Sequence, residues 1–526
     1  MIIDSEDLDY PLIFSSFQVV EKHRKEWIKY ERLFNTEVDE LQKRRAKKKR
    51  RANKVVPLGH DVIKIIRSIF TTSFLSNKFP MVIEKLGSED DERARQLRIA
   101  CSYHWNRSKP YLELSKAFLS MLVFPVGIVS QYWDRTKQRQ VINYENPVNV
   151  AFDPVATNPS DVQFVCYRYR KTARDIYGRM KKDKSKKLRE RFYNKVKDMN
   201  EFFPTYDPAT FEPFKRYELE EIYIRVQGGW LCKTYSRELG LHLRTVKFKR
   251  LPFQWGFALE QLDSVDESKQ ENQVMSYGRS TIANIEFHIK EINQRRSQHA
   301  DVIEKQINPD TFVGSTAEVN PKHLDKGPGT KIPVTGDIAQ IRDRPAPTTV
   351  GLHDDMEMLK RDIETTVGVN SILQGETNSS DRRSQGALAM LNSQSSTRVE
   401  EMIRMANETL FSNLIRSFVY SIYHHVSTET LLQLGIEEPM IGEDFADVPF
   451  DLMVKTEFGS EAKNLERYGD IVGIIQLLGQ FQEADPEMVM KLVEEAYRIK
   501  LGDEDESFKR LFVKSEPVNP IATGGI

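Results

Sequence analysis

Apolar positions recur at helical spacing in several stretches of the chain. Val62, Ile65, Ile66, Ile69 and Phe70 form one stripe, and Leu112, Leu114, Phe118, Leu119 and Leu122 form another. Both predict buried helices, because residues three and four apart share one face of an α-helix. From Val141 the texture changes. Val150-Ala151-Phe152, ahead of Asp153-Pro154, and Val162 to Arg168 carry the β-branched and aromatic residues of strands. Glu221 to Val226 and Trp230 to Tyr235 flank Gln227-Gly228-Gly229, where the paired glycines supply the positive φ of a tight hairpin. A thinner stripe follows, with Ile282, Ile285, Ile289 and Ile292 at intervals of three, four and three. Glu286, Lys290, Glu291, Asn293, Gln294, Arg295 and Arg296 cover its other faces. So narrow a stripe predicts a helix that touches neighbours along a seam, with an ordinary surface helix as the alternative.

The remaining third reads in the same way. Asn308 to Val350 is rich in Pro and Gly, including Gly327-Pro328-Gly329 and Pro345-Ala346-Pro347, which precludes a long helix there. A second helix is predicted from His353-Asp354-Asp355, where an aspartate can cap backbone N–H groups, through Met358, Leu359 and Ile363 to Val367-Gly368. Ser371 to Ser384 is a polar loop. From Gln385 to His425 there is no proline, and Ile403, Leu410, Leu414, Ile415, Phe418, Val419 and Ile422 keep helical spacing. Unbroken, that is a rod of roughly 60 Å at about 1.5 Å per residue. A strand at Phe450 to Lys455, helices over Glu461 to Phe481 and Asp485 to Lys500, and a loose tail from Pro517 complete the expectation. There is no internal repeat.

A length of 526 residues predicts several structural units, and 39% apolar residues supply core for them. Three cysteines, Cys101, Cys166 and Cys232, with no Cys-x-x-Cys pair, argue against a disulfide framework and a cysteine-ligated zinc. A reducing compartment is expected. No signal-peptide pattern or membrane-spanning apolar run is present, so the expectation is a protein made in the cytosol, without a membrane partner. Charge balances overall at 77 against 77 but is segregated. Lys43 to Lys54 holds nine bases and no acid, Arg170 to Lys197 thirteen bases and three acids, and Glu461 to Arg510 seven bases and twelve acids. The first run suits either phosphate neutralisation or a solvated or assembly face.

Signatures of common chemistries are missing. No Walker loop, Gly-x-Ser-x-Gly elbow, His-Glu-x-x-His or EF-hand loop occurs. His353, Asp354, Asp355 and Glu357 are the best metal candidate, yet acids at a helix start ordinarily complement the helix dipole. Cys101 and His104 lack further ligands nearby, and His424-His425 ends the long helix, where a cation is favourable anyway. No catalytic residue, no metal and no cofactor is therefore expected.

The ordered series from Tyr277 onward resembles the bacteriophage portal family, the head-to-tail connectors, of the short-tailed-phage type. Tyr277-Gly278-Arg279-Ser280 ahead of Glu291-Ile292-Asn293-Gln294 looks like the opening of the family's stem, and Gly327-Pro328-Gly329 like its clip. Thr366-Val367-Gly368-Val369, Leu373-Gln374-Gly375-Glu376 and Ser384-Gln385-Gly386-Ala387 resemble the stem exit, tunnel loop and spine helix. Phe450 to Val454 and the closing helices match a return to the wing and then the crown, and Asp153-Pro154 also resembles the wing. Unlike longer members of the family, the chain is not expected to carry a long helical barrel after this crown.

The resemblance implies an α+β, multi-domain portal fold. Its parts would be a mixed wing with β-sheet (1–276), a stem helix (277–304), a small α/β clip (305–350), a second stem helix (351–370), a tunnel loop (371–384), a long spine helix (385–426), a wing return (427–460), a helical crown (461–512) and a tail (513–526). It implies a homo-oligomeric ring, a dodecamer, at one capsid vertex of the virion, assembled in the host cytoplasm. Double-stranded DNA would be packaged and ejected through it. Terminase large subunit, a tail adaptor, and major capsid and scaffolding proteins would be its partners, and it would have no enzyme activity.

On this reading Ile282, Ile285, Glu286, Ile289, Lys290, Arg295 and Arg296 form the stem's seam and channel wall. Each subunit hides its isoleucines against the next, and the mixed charge avoids a sticky wall. Asn378, Ser379, Ser380, Arg382 and Arg383 of the tunnel loop approach phosphates transiently. Lys322, Lys326, Lys331, Arg342 and Arg344 dock terminase and adaptor at the clip. The rival readings are a metal-dependent nucleic-acid-processing enzyme and another adaptor or structural protein of a virion.

Overall fold

The structure is a computed structural model that describes residues 5–37, 43, 47, 52–75, 79, 81–84, 91–156, 161–182, 188–192, 194–195, 216–261, 277–307, 311–313, 341–343, 351–369, 398–445 and 453–456. It is a mixed helix-and-sheet protein of the α+β class. Helix α1 (Ser5–Phe34) is followed by α2 (Leu58–Phe74), strand β1 (Met81–Glu84), α3 (Asp91–Ser108) and α4 (Tyr111–Val123). The sheet region runs through β2 (Gly127–Asp134), β3 (Arg139–Glu145), β4 (Val150–Phe152), β5 (Phe164–Thr172), helix α5 (Ala173–Lys182), β6 (Arg216–Val226), β7 (Gly229–Ser236), β8 (Leu241–Phe248) and β9 (Phe253–Gly256). Then come α6 (Thr281–Ile307), β10 (Thr311–Val313), β11 (Ile341–Asp343) and α7 (Leu352–Val367). Helix α8 is α-helical over 398–406, passes through a π-turn at Asn407–Phe411 and finishes as Ser412–His425. Helix α9 (Thr428–Gln433) and strand β12 (Met453–Thr456) follow.

A five-stranded antiparallel sheet is ordered β4-β5-β6-β7-β8, and a three-stranded one β3-β2-β9. Two further antiparallel pairs, β1-β12 and β10-β11, join segments distant in sequence. The hairpin expected at Gln227-Gly228-Gly229 is β6-β7, with Val226 opposite Gly229 and φ of 77° at Gly228. At Gly229 a Cβ would come within 2.2 Å of the Phe248 carbonyl oxygen, so this turn needs glycine for space as well as for φ. Asp153, buried just after β4, accepts the N–H groups of Val155 (3.1 Å) and Gln163 (3.2 Å), which turns the chain toward β5.

The largest apolar core joins α2, α3, α4, the first half of α6, the end of α7 and α8. In α2 the fully buried set is Val62, Ile63, Ile66, Phe70 and Phe74, while Ile65 and Ile69 are partly buried against it. In α4, Leu114, Phe118 and Leu122 are buried as expected, but Leu112 is 62% exposed. It lies in the first helical turn, about 200° around the axis from Leu114. A second core packs α1 onto the five-stranded sheet through Ile13, Phe17, Ile222 and Cys166.

The long helix departs from a plain α-helical rod at its π-turn. Thr409 Oγ donates to the Met405 carbonyl (2.7 Å) and accepts from the Phe257 N–H (3.2 Å). A Cβ on Gly256 would lie 2.6 Å from the Leu410 nitrogen, so β9 reaches the helix backbone at a position only glycine allows. One turn on, the Gln131 amide, oriented to satisfy its neighbours, donates to the Leu414 carbonyl (3.2 Å) and accepts from the Phe418 N–H (3.0 Å). Residues 385–397, the polar start predicted for this helix, lie outside the described residues. Among the described residues no helix is long and apolar enough to cross a membrane.

Between α3 and the β2-β3 hairpin, His104 is fully buried, with both ring nitrogens lacking a hydrogen-bond partner and its ring edge-on to Trp133 at 5.2 Å. Burial, aided by the Arg107 charge, pushes its pKa down to about 4. The unfolded chain therefore takes up the proton first. Stability is fully present above the ordinary value of about 6.5 and falls as pH drops toward 4, by about 3 kcal/mol in all at roughly 1.4 kcal/mol per pH unit. His104→Phe, which does not titrate, should lose less Tm than the parent between pH 7 and pH 4.5 in thermal melts. Equal losses would place the acid sensitivity elsewhere.

Candidate functional site

The α6–α7 pair carries most of the residues that the sequence singles out, and its root is built from Tyr277 to Ser280. Tyr277 is buried and meets Trp27 of α1 edge-on at 5.3 Å and Phe152 of β4 at 5.9 Å. A Cβ on Gly278 would lie 2.2 Å from the Leu259 carbonyl oxygen, so the backbone passes where no other residue fits. Ser280 Oγ donates to the carbonyls of Val123 (2.8 Å) and Leu122 (3.2 Å) at the end of α4 and accepts from the Ile282 N–H (3.2 Å). One hydroxyl thus ties the end of α4 to the start of α6.

From this root α6 and α7 pack together in opposite directions. Ile282, Ile285 and Ile289 share the main core with Ile363 and Val367, while Arg295, further along α6, pairs with Asp355 in the first turn of α7 (3.1 Å). The isoleucine stripe is therefore hidden inside one chain. Ile282 and Ile285 are fully buried, and Ile289 and Ile292 nearly so. The expectation that these residues need adjacent subunits to cover them is overturned: α2, α4 and α7 already do so, because the helix sinks its first half into the body.

The polar face is also more occupied than expected. Glu286 does not simply face solvent; it pairs with Lys29 of α1 (2.7 Å) and with Lys290. Burial pushes its carboxyl up, but the two ammonium groups outweigh that and hold it below the ordinary range. Arg295 bridges Asp355 and Glu291, the latter at 3.4 Å. Arg296 is exposed, with the His299 ring nitrogen at 3.4 Å. No aspartate caps α7. Gly351 sits at its N-cap with φ 86° and no side-chain cap, and Asp354 and Asp355 act on the dipole from the first turn.

Beyond Ile292 the pair leaves the body. Ile303 and Ile307 of α6 are 40% and 56% exposed, Met358 of α7 is 59% exposed and Phe287, on the outer face of α6, is 71% exposed. The pair leads to the antiparallel β10-β11 strands, in which Arg342 stands opposite Phe312. Lys322, Lys326, Lys331 and Arg344, and the loop residues Asn378, Ser379, Ser380, Arg382 and Arg383, lie outside the described residues, as does the segment after Thr456.

Sequence reasoning missed a strap on α6. The N–H groups of Ala52, Lys54 and Val56 donate to Asp301 Oδ1 (2.6 Å), Ser297 Oγ (2.9 Å) and Asn293 Oδ1 (2.7 Å). Four helical residues rise about 6 Å and two extended residues about 6.6 Å, so polar side chains every fourth position match alternate N–H groups of an extended chain. The signal was present as Asn293, Ser297 and Asp301, but nothing local pairs it with a segment some 240 residues earlier. The strap fixes the end of the basic run at Ala52 to Lys54. Lys43 and Lys47 are exposed, and the rest of the run lies outside the described residues.

Two buried carboxylates elsewhere are used up internally. Glu221 accepts from Tyr223 (2.6 Å), Tyr169 (2.8 Å), Thr234 (3.1 Å) and Arg244 (3.2 Å). Asp9 accepts from Tyr235 (2.6 Å) and Lys233 (2.7 Å) and so pins α1 to β7. Carboxylates so surrounded are tolerated in the interior and have little capacity left for a ligand. All three cysteines are free and buried, and burial pushes the Cys232 thiol up to about 12 and the other two up as well. Among the described residues no group of three His, Cys, Asp or Glu is placed to hold a metal.

A scan of the chain against known protein families gives no match, and comparison with curated proteins gives none either.

The strap generates a test. Asn293→Ala with Ser297→Ala removes two acceptors at about 1 kcal/mol each. Hydrogen exchange at residues 52–56, followed by mass spectrometry, should speed up roughly thirtyfold, since about 2 kcal/mol is a factor near thirty. Unchanged exchange would mean that the ladder does not hold the strap.

Proposed function

We propose that the chain is one subunit of a portal ring, the connector through which double-stranded DNA enters and leaves a capsid. The observation that carries this reading is the α6–α7 hairpin. It is rooted in an α+β body, leaves that body as two antiparallel helices and ends at a small paired-strand unit. Rooted helices bracketing a small module fit a stem and clip, the body fits a wing, and α8 fits a spine. The isoleucine seam no longer argues for a ring. The apolar residues that one chain leaves in water do: Phe287 at 71% exposure and Met358 at 59% stand on faces of the hairpin that the body does not cover.

In this proposal copies pack side by side, with these residues between neighbours. Exposed Lys290, Gln294 and Arg296 keep the wall mixed in character, so that DNA slides without a strong local hold. The loop carrying Asn378 to Arg383 and the unit carrying Lys322 to Arg344 would serve the channel and the docking of terminase and tail adaptor. The number of subunits, twelve, comes from the family resemblance alone.

Negative-stain microscopy of the purified full-length chain tests the reading, with closed rings and an axial hole as the expected result. Phe287→Asp with Met358→Asp should shift the population from rings to single subunits while leaving far-ultraviolet circular dichroism unchanged. A parent protein that remains a stable monomer in solution and in particles would overturn the proposal. Metal-dependent cleavage of DNA by the pure protein would favour a nuclease instead.

A further inference from the structure

Three segments without a single acidic residue converge on one face of the body. Residues 135–144 carry Arg135, Lys137 and Arg139; residues 241–256 carry Arg244, Lys247, Lys249 and Arg250; residues 412–427 carry Arg416, His424 and His425. Contacts bring them together. Arg250 Cζ stands 3.9 Å from the Tyr420 ring centroid. Arg416 is one helical turn before Tyr420, and His424 one turn after, its ring 4.2 Å from that of Tyr420. The His425 ring is 6.4 Å from Trp133 of the β2-β3 hairpin, and Ser421 Oγ donates to Gln140 of the same hairpin at 2.7 Å.

Several other arginines of the body are neutralised by carboxylates. Arg168, Arg237, Arg244 and Arg295 each meet a carboxylate within 3.2 Å. Arg135, Lys249, Arg250 and Arg416 are exposed and form no ion pair among the described residues. Asp134 is near, but its Oδ1 accepts the N–H groups of Thr136 (3.0 Å) and Lys137 (3.2 Å). Glu443 lies toward His425, which burial and then the charges of Arg135 and Lys249 still hold below the ordinary histidine value. Arg250 is likewise pushed down, by partial desolvation against its neighbours first and by the charge of Arg416. Like charges held together with little counter-charge raise the energy of the free protein, and a bound polyanion relieves it. The stack on Tyr420 holds the Arg250 guanidinium by its face, which leaves its N–H edge for planar, two-point contact with phosphate.

We infer that Arg135, Lys249, Arg250, Arg416 and His425, with Tyr420 as the stacking platform, form a binding surface for the phosphate backbone of double-stranded DNA. The choice of DNA over an acidic protein segment rests on the proposed portal function; the surface itself rests on the charge and geometry above. Binding is to phosphates, so it is independent of base sequence and sensitive to salt.

The test is fluorescence anisotropy with a labelled random-sequence duplex and the full-length protein across a salt series. Lys249→Gln, Arg250→Gln and Arg416→Gln together should weaken binding at least tenfold. The log–log salt slope should fall by about two to three, at roughly 0.9 for each phosphate no longer neutralised. A control with Lys25→Gln, Lys64→Gln and Arg98→Gln removes as many exposed cations and should bind within about twofold of the parent. Equal binding by the triple variant, an equal loss in the control, or displacement of the duplex by polyglutamate at matched charge would each overturn the inference. Microscopy of the same samples separates the two readings. Rings whose DNA binding ignores these residues sink the surface and spare the ring, whereas binding that depends on them without rings sinks the ring and spares the surface.

Discussion

The architecture depends on the junction at Gly278 and Ser280. Where Gly278 passes the Leu259 carbonyl there is no room for a side chain, and the Ser280 hydroxyl joins the last carbonyls of α4 to the first turn of α6. This fixes where α6 leaves the body and which of its faces turns inward. Everything distal inherits that direction: the burial of Ile282, Ile285 and Ile289, the meeting of Arg295 with Asp355, and the position of the strap on Asn293, Ser297 and Asp301.

The body that holds this junction combines apolar packing with polar groups that consume one another. Asp9 ties α1 to the five-stranded sheet, and Glu221 gathers two tyrosines, a threonine and an arginine on that sheet. Such closed sets define one register and one orientation more sharply than apolar contact does, because a shift would strand a buried charge. The long helix is fixed in the same manner, by Thr409 against β9 and by Gln131 against the turn from Leu414 to Phe418.

The exposed surface is the complement of that interior. Apolar residues remain in water on the outer faces of the α6–α7 pair, and cations without an ion pair among the described residues collect where the β2-β3 hairpin, the β8-β9 turn and the end of α8 meet. These two surfaces differ in kind. The first offers an apolar face and the second a positive charge.

Periodicity along the chain determined α2, α4, α6, α7 and the described part of α8, and Gly228-Gly229 determined the β6-β7 hairpin, because these rest on side-chain spacing and φ preference within a few residues. The thin isoleucine stripe was legible as buried, but not what buries it. A seam against other copies and a seam against α2, α4 and α7 have the same sequence pattern, and only the folded chain distinguishes them. The strap over 52–56, the π-turn at Asn407–Phe411 and the cation cluster were likewise decided in three dimensions. Each depends on partners more than a hundred residues apart, where local propensity has no information and the geometry of the packed core alone sets who meets whom.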